Sequence, residues 1–458
     1  MEHAGLPTVS IVSSTFLKAA AVVSKGLGMP ELKIAHYPGM PMTDSSEELR
    51  RKVREHLLPE VLAGLTGEAG YGENAVDAEP GARDIVFRGS LDEVNEYFHD
   101  QLWTDGMAII PPTVERVERF LKYTDRDPME VLGICPPDNR EATIWSVAVN
   151  GVMAGCKPEY LPILIAVVEC ICDPRFRLQD AGSTPGWEPL IVLNGPLVKS
   201  LDFNSGSGVM RVGRRANTSI GRFLRMFIRN LAGCRILPGG ADKGSIGQSF
   251  NVVLAENEDA CAELKWKTFA QDQGFAEGEN VVTVQSEVYI SPPTYSAGAT
   301  AMEHMRILYE VIGQATIAYW SPIGMGYAQW HPLIVLGPGV AKVFADDGWT
   351  KDDIRRYLYE NVKLPAERIE AYAYHVGLTG FSLKGQVEKG YLPPEYTESD
   401  DPSRLLRCNY KAEWIGIVIA GDPGRNQSKC YVSNHIQGPP TSRKVVLPKR
   451  WKELTGGH

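Results

Sequence analysis

The opening stretch constrains the fold most, because it alternates between strand and helix patterns. Thr8–Ser13 is β-branched and alternating, as a half-buried strand is. Ser14 to about Leu27 is rich in Ala, Val and Leu and stops at Gly28, where a helix would end. Leu32–His36 predicts a second strand. Ser45 and Ser46, followed by Glu47 and Glu48, supply an N-cap and an acidic first turn for a long helix that bends at Pro59. Strand–helix–strand–helix order implies a parallel sheet. The expected fold class is therefore α/β, with a small Rossmann- or flavodoxin-like parallel unit at the N-terminus and a larger α/β domain after it. Two parallel strands with open edges make a poor domain. A further strand and helix are expected from another polypeptide, the alternative being completion by the rest of this chain.

The unit covers residues 1–69. Residues 70–84 are Gly-, Ala- and Glu-rich without apolar periodicity and predict a linker, and residues 85–458 form the larger domain. Helices are predicted over Leu91–Gln101, after Thr113, over Ala142–Ala154 and Glu159–Cys172, and over Thr218–Leu231 and Lys351–Asn361. Strands are predicted over Gly106–Ile110, Pro189–Leu193, Phe250–Ala255, Val281–Ile290 and Pro332–Leu336. A hydrophobic fraction of 43% and a charged fraction of 22% are those of a globular chain, which sets wholesale disorder aside. The formal net charge of -9 argues against nucleic-acid and anionic-membrane partners. The cysteines form no C-x-x-C pair, and no histidine stands at metal-ligand spacing with another, so no metal site is expected. No signal peptide can be read, and the apolar run Tyr160–Cys172 is too short to span a bilayer. The expected compartment is the cytoplasm, with reduced thiols.

The leading candidate site is the loop Asn204–Asn217, which carries Ser205, Gly206, Gly208 and Gly213 with Arg211, Arg214 and Arg215, and which follows Asn194-Gly195-Pro196. Glycines let backbone N–H groups converge, the next helix presents its positive end, and Arg222 lies on that helix. Guanidinium groups grip carboxylates and phosphates in pairs of hydrogen bonds, so Asn194, Asn204, Ser205, Gly206, Arg214, Arg215, Asn217 and Arg222 are expected to bind a small anionic substrate. The loop is neither a phosphate loop ending in G-K-[ST] nor a dinucleotide fingerprint, and the cofactor is unknown. Cys156 precedes a predicted helix N-terminus next to Lys157, a setting that lowers a thiol pKa. Glu141, Glu258 and His331 are the acid–base candidates beside it. The plain reading of each is structural: a buried thiol, solvated glutamates, a lone histidine.

The stretch TVSIVSSTFLKAAAVVSKGLGMPELKIAHYPG, with SEELRRKVREHLLPEVLAGL after it, resembles the UGSC-type domain, named for a selenocysteine- or cysteine-Gly-Ser-Cys motif. The larger region, in stretches such as WTDGMAIIPPTVERVERFL and NGVMAGCKPEYLPILIAVVE, is similar to uncharacterised proteins associated with such domains. The resemblance places the redox motif ahead of the strand Thr8–Ser13, and no residue here takes its role. It implies a small Cys- or selenocysteine-containing partner that completes the N-terminal domain, and so a hetero-oligomer. The function expected is the larger subunit of a thiol-dependent enzyme of oxidoreductase type, acting on a small anionic substrate. A hydrolase or lyase using the same anion site without a redox step, and a non-catalytic binding subunit, remain the alternatives.

Overall fold

A computed structural model describes residues 6–17, 20, 21, 24, 29–39, 41, 44–67, 81, 83–180, 186–236, 244, 246–249, 251–327, 331–409, 411–433 and 438–456. The strands in chain order are β1 (Ser10–Ser13), β2 (Ile34–Tyr37), β3 (Val131–Cys135), β4 (Arg140–Thr143), β5 (Glu188–Asn194), β6 (Leu254–Ala255) and β7 (Val281–Ile290). They continue with β8 (Thr294–Tyr295), β9 (Pro332–Leu336), β10 (Lys363–Pro365), β11 (Leu405–Arg407), β12 (Gly416–Ile419), β13 (Gln427–Ser433) and β14 (Thr441–Lys444).

At the N-terminus β1 and β2 pair in parallel, Ser10 opposite Ile34 and Ser13 opposite Tyr37. Ser45 caps the helix Ser46–Lys52 by accepting the Glu48 N–H at 3.2 Å, as its sequence foretold. The helix widens into a π turn over Val53–Leu57 before continuing as Leu58–Thr66. The irregularity thus falls one turn ahead of Pro59, which has no N–H to give. This unit has its own small core of Ala35, Tyr37 and Leu57 with Val9, Leu49, Val53 and Val61. Half of the predicted helix over 14–27 and most of the predicted linker over 70–84 lie outside the described residues.

The larger region is built on an eight-stranded mixed sheet with the path β12-β9-β13-β7-β5-β6, β14 adding to β7 and β8 to β13. Only β5–β6 and β9–β12 are parallel; β7 runs antiparallel to β5, β13 and β14. The two edges come together: Asn257 donates its N–H to Ile419 O at 2.7 Å, and Gly421 donates to Ser205 O at 3.0 Å. The sheet therefore curls into an incomplete barrel. Leu190, Val192, Leu254, Leu333, Val335, Val418 and Tyr431 point inwards around Phe269. The alternate residues Ile191, Leu193, Val282 and Val284 pack outwards on one helical layer, while Ile334, Leu336, Ile417 and Ile419 pack on another. Strands covered on both faces need apolar side chains throughout, which is why β5 is buried at every position.

The helix Leu161–Ile171 sits in the first layer, buried on all sides except at Glu169, whose carboxylate meets Arg126 at 2.6 Å. Among the described residues no helix is long and apolar enough to cross a membrane. Three predicted elements come out differently. Gly106–Ile110 is irregular, because its N–H groups bond elsewhere: Ile109 to Asn95 Oδ1 at 2.7 Å and Ile110 to Met153 O at 3.3 Å. The helix expected from Ala142 starts at Ile144, since Arg140–Thr143 pairs with β3 and Thr143 becomes the cap. The strand expected over Phe250–Ala255 shortens to β6, because Val253 bonds to Asn217 through both its N–H and its carbonyl.

Candidate functional site at the ends of strands β5, β6 and β12

β5 and β6 run in parallel and end side by side, at Asn194 and at Ala255, and the residues just beyond converge. Asn194 donates to Glu256 Oε2 at 2.7 Å and to Glu258 Oε1 at 3.1 Å, while the Gly195 N–H donates to Glu258 Oε1 at 2.9 Å. Glu256 is fully buried and accepts the N–H of Phe269 at 2.6 Å and of Ile419 at 3.0 Å. Lys351 reaches it at 3.3 Å and also donates to Ile417 O at 2.9 Å. Asp272 lies 3.8 Å from Lys351 and 2.5 Å from Arg355. Glu256 thus ties β5, β6, β12 and two helices together with its charge compensated. Glu258 is different. It is half-buried in the first turn of the helix Glu258–Leu264, and burial raises its pKa against the opposing bonds from Asn194 and Gly195. A nearby carboxylate, Glu256, pushes it the same way.

The glycine-rich loop folds beside this group. Asn204 accepts the Gly206 N–H at 3.0 Å, the Ser205 carbonyl holds Gly421, and Ser207 donates to Asp422 at 2.8 Å. Asn217 is the third residue of the helix Arg215–Leu231 rather than its cap. Its buried amide is spent on the backbone of Asn204 and Val253, at 2.8 and 2.9 Å. The arginines differ in how far they are committed. Arg222 makes a two-pronged pair with Asp105, 2.8 Å for each bond, and also holds Ala108 O at 2.9 Å. Burial works to raise Asp105, but this guanidinium outweighs it and holds the carboxyl below the usual range. Arg215 donates to Gly155 O at 3.1 Å. Arg214 meets Asp202 at 2.8 Å in full view of solvent, and Arg211 is exposed. Further along, Arg225 lies 3.8 Å from Glu188.

Cys156 departs from expectation. It is 4% exposed, and burial pushes its thiol up to about 12, outweighing Ser219, Arg215 and Arg222. A helix start and nearby cations do not make a thiolate when water is shut out. Glu141 is exposed on β4, on the hairpin with β3, apart from the loop. His331 lies at the start of β9, in a separate cleft of about 130 Å³ lined by Phe269, Gln273, Gln285 and Trp414. Its ring is 4.6 Å from that of Trp414, and burial, with Lys411 adding, lowers its pKa to about 4. Among the described residues no group of three or more His, Cys, Asp or Glu could hold a metal.

Two features escaped the sequence. Lys351 opens a helix at its positive end, an unfavourable place for a cation; that mismatch was the available sign that a buried acid awaits it. Glu287 is fully buried on β7, and among the described residues neither carboxylate oxygen has a partner. Burial raises its pKa well above the usual carboxyl range. It is followed by Val288 and preceded on alternate positions by Thr283 and Gln285, a pattern that in a flat sheet marks a solvent face.

Residues 1–67 match the model of the UGSC family, which makes the N-terminal unit a UGSC-type domain. No curated protein matches the chain.

Proposed function

We propose that the chain is the larger subunit of a hetero-oligomeric enzyme acting on a small anionic, carboxylate-bearing substrate. Glu258 exchanges the proton, and a small UGSC-type partner with a cysteine or selenocysteine brings the thiol or selenol chemistry. The observation that carries this reading is the half-buried Glu258, its pKa raised, at the strand ends beside a glycine-rich loop with exposed Arg211 and Arg214. A carboxyl that keeps its proton closer to neutrality suits general acid–base work. The guanidinium of Arg211 stands in open solvent, and that of Arg214 is held only by a solvent-exposed pair with Asp202, for which an arriving anion can compete. The partner is supported by the small unit itself. Its two-stranded parallel sheet has few core residues, and Ile11 on β1 is 60% exposed. The hydrolase or lyase alternative gains from one observation: burial raises the pKa of the Cys156 thiol, which leaves proton transfer as the chemistry available to this chain at the strand-end site.

Calorimetric titration with acetate, succinate and inorganic phosphate tests the site. A carboxylate should bind, and replacing both Arg211 and Arg214 by Ala should weaken it tenfold or more. Glu258→Gln should keep binding while removing its pH dependence. Absence of binding by all three probes, or indifference to the arginines, would refute the anion site. For the partner, affinity purification of the full chain should bring down a small Cys- or selenocysteine-containing protein, lost on Ile11→Asp.

A further inference from the structure

Three thiols gather far from the loop. Cys135 ends β3, Cys172 follows the helix Leu161–Ile171, and the two Sγ atoms touch at 3.8 Å across a sequence separation of 37. Gly133 makes the approach possible. A Cβ on it would lie 2.6 Å from Cys172 Cβ, so any larger residue would lift the hairpin off the helix end. Cys135 is fully buried while Cys172 is half-exposed. The contact with Cys172, together with burial, holds the Cys135 thiol protonated far above its ordinary range, and Cys234 adds a smaller push.

We propose that Cys172 and Cys135 form a redox-active dithiol, with Cys172 as the attacking sulfur and Cys135 as the resolving one, and a small-molecule disulfide as oxidant. The Cys172 thiolate attacks one sulfur of that disulfide and expels the first thiolate. The Cys135 sulfur, losing its proton to the expelled thiolate, then attacks Sγ of Cys172. An intramolecular S–S bond forms and the second thiolate leaves. Two electrons pass from the protein to the disulfide, and both thiol protons end on the two thiols released. Accessibility sets the order, because only Cys172 can be reached from solvent. Proximity then makes resolution intramolecular, which favours it over a second encounter. The bond would fasten the β3–β4 hairpin to the end of the most buried helix. None of this depends on the anion site or on a partner subunit.

The full-length protein is incubated with oxidised glutathione, alkylated after denaturation and mapped by mass spectrometry after proteolysis that separates Cys170 from Cys172. Two of the eight thiols should disappear, joined as Cys135–Cys172 with no glutathione retained, and dithiothreitol should restore both. Cys135→Ser should instead accumulate glutathione on Cys172, and Cys170→Ser should behave as wild type. The oxidised protein should melt a few degrees higher than the reduced one. Retention of glutathione by the wild type, a Cys135–Cys234 bond, or an unreactive Cys172 would each overturn the assignment. Folding of the serine variants is checked by their circular dichroism, so an unfolded variant is not mistaken for an unreactive one.

Discussion

The two ends of strand β5 treat a buried glutamate in opposite ways. Beyond its last residue, Glu256 is surrounded by Asn194, two backbone N–H groups and Lys351. At its first residue, Glu188 stands opposite Glu287 in the antiparallel register, and Glu287 is just as buried, with both oxygens unpartnered among the described residues. The residue type and the burial are the same. What differs is the supply of donors and positive charge, and that decides whether a carboxylate can be kept in the interior or must take up a proton. The first arrangement fastens strands together; the second stores an acid.

Breaking the saturated end should have the largest effect. Glu256→Ala strands the buried Lys351 and several N–H groups, and we expect a loss of about 3–5 kcal/mol in urea unfolding. A loss below about 1 kcal/mol would mean the cluster is not a clamp. Asp105→Ala, which leaves the two-pronged Arg222 without its carboxylate, should lose about 2 kcal/mol; its pair is partly open to solvent, with side chains 16% and 9% exposed. That loss should fade on acidification, because the folded pKa of Asp105 is depressed. Its contribution is present above the ordinary carboxyl pKa and disappears as pH falls through the lowered one.

Glu287→Gln should act with the opposite sign. The folded pKa is raised, so the wild type is fully stable below the ordinary carboxyl pKa and loses stability as pH rises towards the raised value, by at most about 1.4 kcal/mol per pH unit. The variant should lack this slope, so its melting temperature gains on the wild type as pH increases from 4 upwards. Parallel curves would show that Glu287 finds a partner in solution. The smallest change belongs to Arg214→Ala, whose pair with Asp202 is solvent-exposed; thermal unfolding should move by less than about 1 kcal/mol.

How much of this could be read beforehand differs by element. The helix Lys351–Asn361 and the strands Val281–Ile290 and Pro332–Leu336 matched their predicted bounds, because their periodicity and caps are local properties. The strand over Gly106–Ile110 failed because its hydrogen bonds go to Asn95 and Met153, partners that no local pattern names. Among the site residues, Asn194 and Glu258 are in direct contact and the loop lies beside them, whereas His331 and Glu141 stand in other places. Cys156 had the right neighbours in sequence but not the exposure, and exposure is set by everything packed around it.

The sequence by itself determined the α/β class, the UGSC-type N-terminal unit, the glycine-rich loop and the helix starts at Ser46, Leu91, Val114 and Lys351. Each of these rests on spacing, capping or turn chemistry within a few residues. Only the tertiary structure decided that the sheet curls until β6 and β12 meet. The hydrogen bonds that close it join Glu256 and Asn257 to Ile419 across long stretches of chain. That closure turned the polar face of β7 inwards, buried Glu287, and gave the two ends of β5 their contrasting carboxyl groups. Burial and charge pairing are properties of what surrounds a side chain, and those surroundings come from strands and helices distant in sequence.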